Sequence, residues 1–140
     1  MRWYSCWLVL LFLVGCGEEA QKQVHWDRDM CERCKMVISD RHHTVKMHIP
    51  NSQKYYVFDD VGCFILWQQR AHEPWGDQAE VWVNDAKSGA WINLRQAKFT
   101  AHNLTPMGYG FSAYAVGSEP KTDEVIDYAE VKKRVIAVGQ

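Results

Sequence analysis

Residues 30–36 read Met-Cys-Glu-Arg-Cys-Lys-Met, a pair of cysteines separated by two residues with a methionine on either side. Such a stretch can serve as a dithiol redox pair, as half of a zinc site, as a soft-metal site or as a plain disulfide. Which of these applies depends on the compartment, because thiols oxidise readily outside the cytoplasm.

The N-terminus predicts export. Arg2 precedes an apolar run over residues 7–14, which is shorter than the roughly 20 residues that span a bilayer. A basic start, a brief apolar core and a small residue after it, Gly15, are typical of a secretory signal peptide. Residues 13–16, Leu-Val-Gly-Cys, resemble the bacterial lipobox, in which cleavage leaves Cys16 as the first residue and lipid is attached to its sulfur. An ordinary signal peptide, or a hydrophobic N-terminus that is retained, is the alternative.

This interpretation divides the chain into a signal peptide over residues 1–15, a lipidated tether over residues 16–24 and one domain over residues 25–140. Acyl chains buried at ~0.8 kcal/mol per CH₂ would anchor the domain to a bacterial cell membrane, facing the periplasm or the exterior. Without the signal peptide the chain has 15 Lys and Arg against 17 Asp and Glu, a net charge of −2 with neutral His, and no basic stripe. Nucleic acid is therefore not an expected partner.

Of the five cysteines, Cys6 would leave with the signal peptide and Cys16 would carry lipid. Three thiols then remain in an oxidising compartment: Cys31, Cys34 and Cys63. Because an odd number cannot all pair within the chain, at least one of them is expected to be free or bound to a metal.

Hydrophobic patterning and turn residues predict a small α+β domain after the tether. Asp59 or Asp60 is expected to cap a helix over about residues 61–70, and Thr122 to open a closing helix over about residues 123–137. The expected extended segments cover residues 37–38, 44–49, 54–58, 79–83, 90–94 and 110–115, with 99–103 ambiguous. The order suggests a single domain of two ββα(β)-type halves.

A redox pair is the first alternative for Cys31 and Cys34. A thioredoxin-like protein places such a pair at the start of a helix after a strand, where the helix dipole lowers the thiol pKa. Here residues 36–40 look extended, and no β-α-β pattern surrounds them. An exported thiol-disulfide oxidoreductase therefore stays an alternative, as does a structural disulfide between the two cysteines.

Zinc is the second alternative, and a structural zinc site needs four ligands. The chain could supply them from three cysteines and one histidine: Cys31, Cys34, Cys63 and one of His42, His43 or His48. There is neither a second Cys-x-x-Cys nor a His-x₃-His pair to complete a zinc finger, so a zinc-stabilised structural lipoprotein is less favoured.

Copper(I) accounts for more of the motif, because it is a soft ion that favours thiolate and thioether ligands. Cys34 and Met36 offer both donor types, and residues two apart in an extended segment project from the same face, so their sulfurs could reach one ion. A lone methionine more often fills a core, which is the better explanation for Met30 and Met47.

Met107 lies in a second unusual setting. Residues 105–110, Thr-Pro-Met-Gly-Tyr-Gly, form a rigid, glycine-flanked loop that is otherwise polar or aromatic. The methionine either packs under this loop or delivers a thioether to a site, and the residues alone leave both possibilities open.

Three stretches together resemble the NosL family: Cys31-x-x-Cys34-x-Met36, residues 56–63 (Tyr-Val-Phe-Asp-Asp-Val-Gly-Cys) and residues 105–114 (Thr-Pro-Met-Gly-Tyr-Gly-Phe-Ser-Ala-Tyr). NosL proteins are exported lipoproteins that bind copper(I) and assist copper delivery to nitrous oxide reductase. The resemblance covers nearly all of the chain after the signal peptide. It implies a two-part ββαβ-type, metal-binding domain, with Cys34, Met36 and Met107 as candidate ligands.

The chain departs from this family in its cysteines. Many NosL proteins have Cys-Gly-Met with one mature cysteine and a histidine just before it, whereas here Lys35 replaces the glycine and Cys31 precedes. The first half also resembles short modules in which Cys-x-x-Cys-x-Met pairs with a later cysteine at a helix start, the place of Cys63. Two ligand sets therefore stay open: Cys31, Cys34 and Cys63, or Cys34, Met36 and Met107. The second set requires residues 105–110 to fold back onto the Cys34 segment.

The sequence thus predicts a membrane-anchored, periplasmic copper(I)-binding metallochaperone and not an enzyme. It would exchange copper(I), ligand by ligand, with a copper-donating or copper-receiving periplasmic or membrane protein. The family resemblance implies the nitrous oxide reductase maturation machinery as that partner.

Overall fold

The computed structural model describes residues 23–71, 78–121 and 124–139. The predicted signal peptide, the predicted lipidation site Cys16 and most of the predicted tether lie outside these residues. Val24, at the end of the tether, is already buried in the core. No helix in the described parts of the chain is long and apolar enough to cross a membrane.

The described residues form a small α+β domain, which confirms the predicted fold class. Its elements, in chain order, are β1 (Val45–His48), β2 (Tyr55–Phe58), α1 (Val61–Ala71), β3 (Glu80–Asn84), β4 (Trp91–Asn93), β5 (Lys98–Thr100), β6 (Ser112–Tyr114), β7 (Val125–Ile126) and α2 (Tyr128–Val138). Two antiparallel sheets result, with strand orders β2-β1-β3-β4 and β6-β5-β7. The second predicted strand pair thus extends the first sheet, because β3 pairs with β1.

The larger sheet is covered on both faces. On one face, Phe58 of β2 contacts Phe64 and Trp67 of α1, with ring centroids 5.3 and 5.2 Å apart.

On the other face, the Lys46 ammonium lies over the rings of Trp82 and Trp91, at 5.3 and 4.6 Å from their centroids. Trp91 in turn stacks on Trp26, which precedes the cysteine pair, with ring centroids 6.2 Å apart. The segment that contains the cysteine pair therefore packs on this sheet.

The closing helix begins later than predicted. Val125–Ile126 forms β7, which pairs with β5, and Ile126 is buried. Helix α2 starts at Tyr128. Its N-cap is Asp127, whose side chain accepts a hydrogen bond from the Glu130 N–H at 2.9 Å. The predicted opening residue, Thr122, lies outside the described residues. Strand pairing and burial override the helical pattern of this stretch, because tertiary contacts outweigh local propensity.

Candidate metal site

The two cysteines of the Cys-x-x-Cys motif lie in a tight hairpin of residues 29–38, here named the cysteine hairpin, and not at a helix start. Backbone hydrogen bonds from Cys31 to the Met36 carbonyl (2.8 Å) and from Lys35 to the Cys31 carbonyl (2.9 Å) close its turn. Lys35 adopts a left-handed φ of +60°. The extended geometry predicted for Cys34 and Met36 is therefore wrong: a turn joins them.

The cysteine hairpin is held against the start of helix α1. The Glu32 N–H donates to the Val57 carbonyl of β2 at 2.9 Å. Just beyond β2, Asp60 caps the helix, because its Oδ1 accepts the Gly62 N–H at 3.2 Å. Cys63 lies in the first turn of this helix. Strand β2 therefore binds the cysteine hairpin and continues into α1, so that the hairpin lies close to Cys63.

The sulfurs of Cys31, Cys34 and Cys63 lie within 4.8 Å of one another, and all three are free thiols. Thiolates at about 2.3 Å from a shared ion lie about 4 Å apart, so the cluster fits one metal ion with little movement. Cys31 and Cys63 are fully buried, whereas Cys34 is half-buried. The structure brings the three predicted cysteines together and leaves the site accessible at Cys34.

Hydrogen bonding among the thiols separates their pKa values. The pKa of Cys31 falls from 9.0 to about 5, chiefly because the Cys63 thiol donates to its sulfur, and the Cys34 N–H adds a contact of 3.5 Å. The pKa of Cys63 is raised, because its proton is shared with Cys31 and because the site is buried. Burial also raises the pKa of Cys34. The metal-free cluster therefore carries about one negative charge, and a bound metal displaces the remaining thiol protons.

Asp59 is a buried carboxyl beside this cluster. Its pKa rises to about 6, first because burial disfavours the charged form and second because the Cys31 thiolate repels it. The carboxyl therefore takes up a proton below about pH 6, and only there does its protonation limit the negative charge near the sulfurs.

The loop of residues 105–110, here named the methionine loop, folds back onto the start of α1. The second carboxylate oxygen of the fully buried Asp60 accepts the Thr105 hydroxyl at 2.7 Å and the Met107 N–H at 3.2 Å. One side chain therefore holds both the helix cap and the loop.

Tyr109 ties the methionine loop to the cysteine hairpin. Its ring lies against Gly62, where an added Cβ would be 2.1 Å from a ring carbon. Its hydroxyl accepts a hydrogen bond from Arg33 Nη1 at 3.0 Å. Arg33 stands between the two cysteines of the motif, so the methionine loop contacts the cysteine hairpin. The ligand set that includes Met107 requires this contact.

The methionines take different positions. Met36 lies on the cysteine hairpin and is 55 % exposed, whereas Met107 is half-buried against the core. Met47 is buried, which confirms its predicted packing role. Met30 is 55 % exposed, so the same prediction is wrong for that residue, which projects from the hairpin instead of from a core strand.

No histidine joins the three cysteines within the described residues. His42, His43 and His48 each use a ring nitrogen in a hydrogen bond to another residue, at 3.0, 3.0 and 2.7 Å. The fourth ligand expected for structural zinc is therefore missing from the described cluster.

Three residues around the site were not predicted as functional: Arg33, Tyr109 and, beyond its capping role, Asp60. One sequence signal points to the position of Tyr109. Gly62 lies in the first turn of a helix, where glycine costs about 1 kcal/mol relative to alanine, and such a glycine often marks the close approach of another group.

No protein-family model and no curated protein sequence matches this chain. Among solved structures, the fold is similar to the crystal structure of the copper chaperone NosL from Shewanella denitrificans, with a TM-score of 0.62. The superposition covers 78 % of this chain and 95 % of that protein, at 18 % sequence identity. The two proteins share a fold, and in the neighbour that fold belongs to a copper chaperone.

Proposed function

We propose that this protein binds one copper(I) ion through Cys31, Cys34 and Cys63 and passes it to a partner protein, without catalysing a reaction. The observation that carries the proposal is the group of three sulfurs within 4.8 Å, in a fold shared with a copper chaperone. Thiolates select soft ions, and copper(I) needs few of them, whereas structural zinc needs a fourth ligand.

Transfer proceeds by ligand exchange at the accessible side of the site. Cys34 is half-buried and the other two cysteines are fully buried, so an incoming sulfur ligand reaches the ion beside Cys34. Met36 is exposed on the same hairpin and offers a thioether during the exchange. The alternative ligand set is Cys34, Met36 and Met107, with the methionine loop as part of the site.

Location and partner complete the proposal. Lipidation at Cys16 holds the domain at a bacterial membrane, facing the periplasm, and the tether raises the effective concentration of membrane-bound and periplasmic partners. The resemblance to NosL proteins favours a respiratory cuproenzyme such as nitrous oxide reductase as the final recipient.

Anaerobic metal titration tests this function. The full chain, purified in detergent with reduced thiols, competes with a chromophoric chelator for copper(I) and, separately, for zinc. We expect one copper(I) per chain, bound at least about a hundredfold more tightly than zinc. Comparable affinities would favour structural zinc, and dithiol turnover by Cys31 and Cys34 without metal would favour the oxidoreductase.

Two variants decide between the ligand sets. Cys63→Ser removes a ligand of the three-cysteine set only, and Met107→Leu removes a thioether at nearly constant volume, costing under about 1.5 kcal/mol of stability. We expect Cys63→Ser to weaken copper(I) binding at least about tenfold, ~1.4 kcal/mol, and Met107→Leu to leave it nearly unchanged. Cys34→Ser should weaken binding under either set. The reverse result for the first two variants would place the ion at Cys34, Met36 and Met107.

A further inference from the structure

The side chain of Arg33 extends from the cysteine hairpin to the methionine loop, next to the start of α1. Its Nη1 donates to the Tyr109 hydroxyl at 3.0 Å, and the Tyr109 ring lies against Gly62, the neighbour of Cys63 in α1. The backbone of Arg33 itself lies between two of the cysteines. Its side chain therefore connects the cysteine hairpin to the start of α1, the two elements that carry the sulfurs.

Arg33 also holds a buried donor without a partner. Its Nε is shielded from solvent and makes no hydrogen bond to the described residues. An unpaired buried donor costs about 1–3 kcal/mol, and more when the group is charged. Native structures contain few such groups, and a functional role is one established explanation for them.

The charge of the site depends on the ion that it holds. Three thiolates with copper(I) carry two net negative charges, whereas three thiolates with zinc carry one. Because charges interact more strongly in a buried setting than in water, a fixed cation beside the site stabilises the copper(I) complex more than the zinc complex.

We propose that Arg33 is a specificity-determining residue whose guanidinium offsets the charge of a copper(I) tris-thiolate and thereby favours copper(I) over zinc. Arg33 does not coordinate the metal, and Tyr109 is the positioning residue that fixes the guanidinium. This inference rests on the proposed function with the three-cysteine ligand set. A site of Cys34, Met36 and Met107 would be neutral with copper(I) bound and would leave no charge to offset.

The test measures copper(I) and zinc affinities of the full chain and of four variants: Arg33→Gln, Arg33→Lys, Tyr109→Phe and Arg28→Gln. Arg33→Gln should weaken copper(I) binding by about tenfold and zinc binding less, so that the ratio of the two affinities falls at least about threefold. Arg33→Lys keeps the charge and should restore most of the ratio. Tyr109→Phe should lower the ratio by a smaller factor.

Arg28→Gln is the matched control, because Arg28 is an exposed arginine of the same N-terminal segment. Exposed charges are screened by salt, so this variant should keep the ratio within about twofold of the parent. An unchanged ratio in Arg33→Gln, or an equal fall in Arg28→Gln, would overturn the inference. If thermal unfolding shows that Arg33→Gln does not fold, an unchanged ratio in Tyr109→Phe overturns it instead.

Failure of the inference can be told apart from failure of the proposed function. If Cys63→Ser weakens copper(I) binding but the Arg33 variants leave the affinity ratio unchanged, only the role of Arg33 is wrong. If the parent chain binds no copper(I), or if Cys63→Ser binds it like the parent, the three-cysteine function is wrong and the inference is wrong with it.

Discussion

The Thr105 hydroxyl donates a hydrogen bond to the Asp60 carboxylate at 2.7 Å, across 45 positions of the chain. The same carboxylate accepts the Gly62 N–H and the Met107 N–H, both at 3.2 Å. Asp60 is fully buried, so one ionisable side chain fixes the helix start that carries Cys63 and the loop packed against it.

Asp60→Asn should destabilise the protein by roughly 1–3 kcal/mol, measured by urea unfolding. In either orientation of the amide, the NH₂ group of asparagine would face an N–H or O–H donor. Because two donors cannot bond to each other, a buried hydrogen bond would be lost. Asp127→Asn is the matched control at the start of α2, where the side chain is exposed and asparagine caps about as well as aspartate, so it should cost under about 0.5 kcal/mol. Equal costs at the two caps would contradict the special role of Asp60.

Gly62→Ala should cost roughly 1–3 kcal/mol of stability, because the new Cβ would come within 2.1 Å of the Tyr109 ring. In a Tyr109→Ala background the same change should be neutral or should stabilise by up to about 1 kcal/mol, since alanine forms helix better than glycine. Urea unfolding of the four proteins gives the coupling between the two sites. A loss of the same size in both backgrounds would show that the ring does not limit this position.

The metal-free, reduced protein should become more stable as the pH rises from about 6 to about 9. The pKa of Cys31 is about 5 in the folded state against 9.0 ordinarily, so the unfolded state holds a proton that the folded state has lost. Stability then rises by up to about 1.4 kcal/mol per pH unit. Urea midpoints at several pH values measure the slope.

Other groups bound this pH window. Below about pH 6 the raised pKa of Asp59 acts in the opposite direction, because the folded state then binds the extra proton. Above about pH 9 the raised pKa values of Cys34 and Cys63 reverse the slope. Cys31→Ser should flatten the rise between these limits, and a parent protein with a flat profile would argue against a Cys31 thiolate.

Cys16→Ser should abolish lipid attachment, because only a thiol at the cleavage junction can carry the first acyl group. Metabolic labelling with a palmitate analogue measures this. Cys6→Ser is the control and should keep the label, since Cys6 would leave with the signal peptide. Label on the Cys16→Ser protein would refute the lipoprotein prediction.

Local signals explain which parts of the fold could be predicted. Helix α1 follows directly from its cap at Asp60 and from the apolar residues after it. The start of α2 could not be predicted in this way, because Val125–Ile126 is a strand only through its pairing with β5, a distant segment. Strand preference depends on such neighbours more than on residue type.

The sequence offered the three cysteines as candidate ligands, but it did not predict the geometry that brings them together. The sequence separation between Cys63 and the Cys-x-x-Cys motif does not predict that they are close. Their proximity depends on the pairing of the hairpin with β2, which continues into α1. Lys35 shows the value of the family pattern, because its φ of +60° favours glycine, the residue that the NosL resemblance expects there. Arg33 and Tyr109 meet through contacts between segments far apart in sequence, which a single sequence does not reveal.

The unequal burial of the three sulfurs has a kinetic consequence for the proposed cargo transfer. Cys31 and Cys63 are buried and Cys34 is half-buried, so an acceptor that displaced Cys34 would leave copper(I) attached to the two buried sulfurs and never free. Substitution would then be associative, with a rate first order in acceptor. Spontaneous escape would instead have to break bonds inside the core. The protein would therefore combine slow loss of copper to solvent with fast hand-over on encounter.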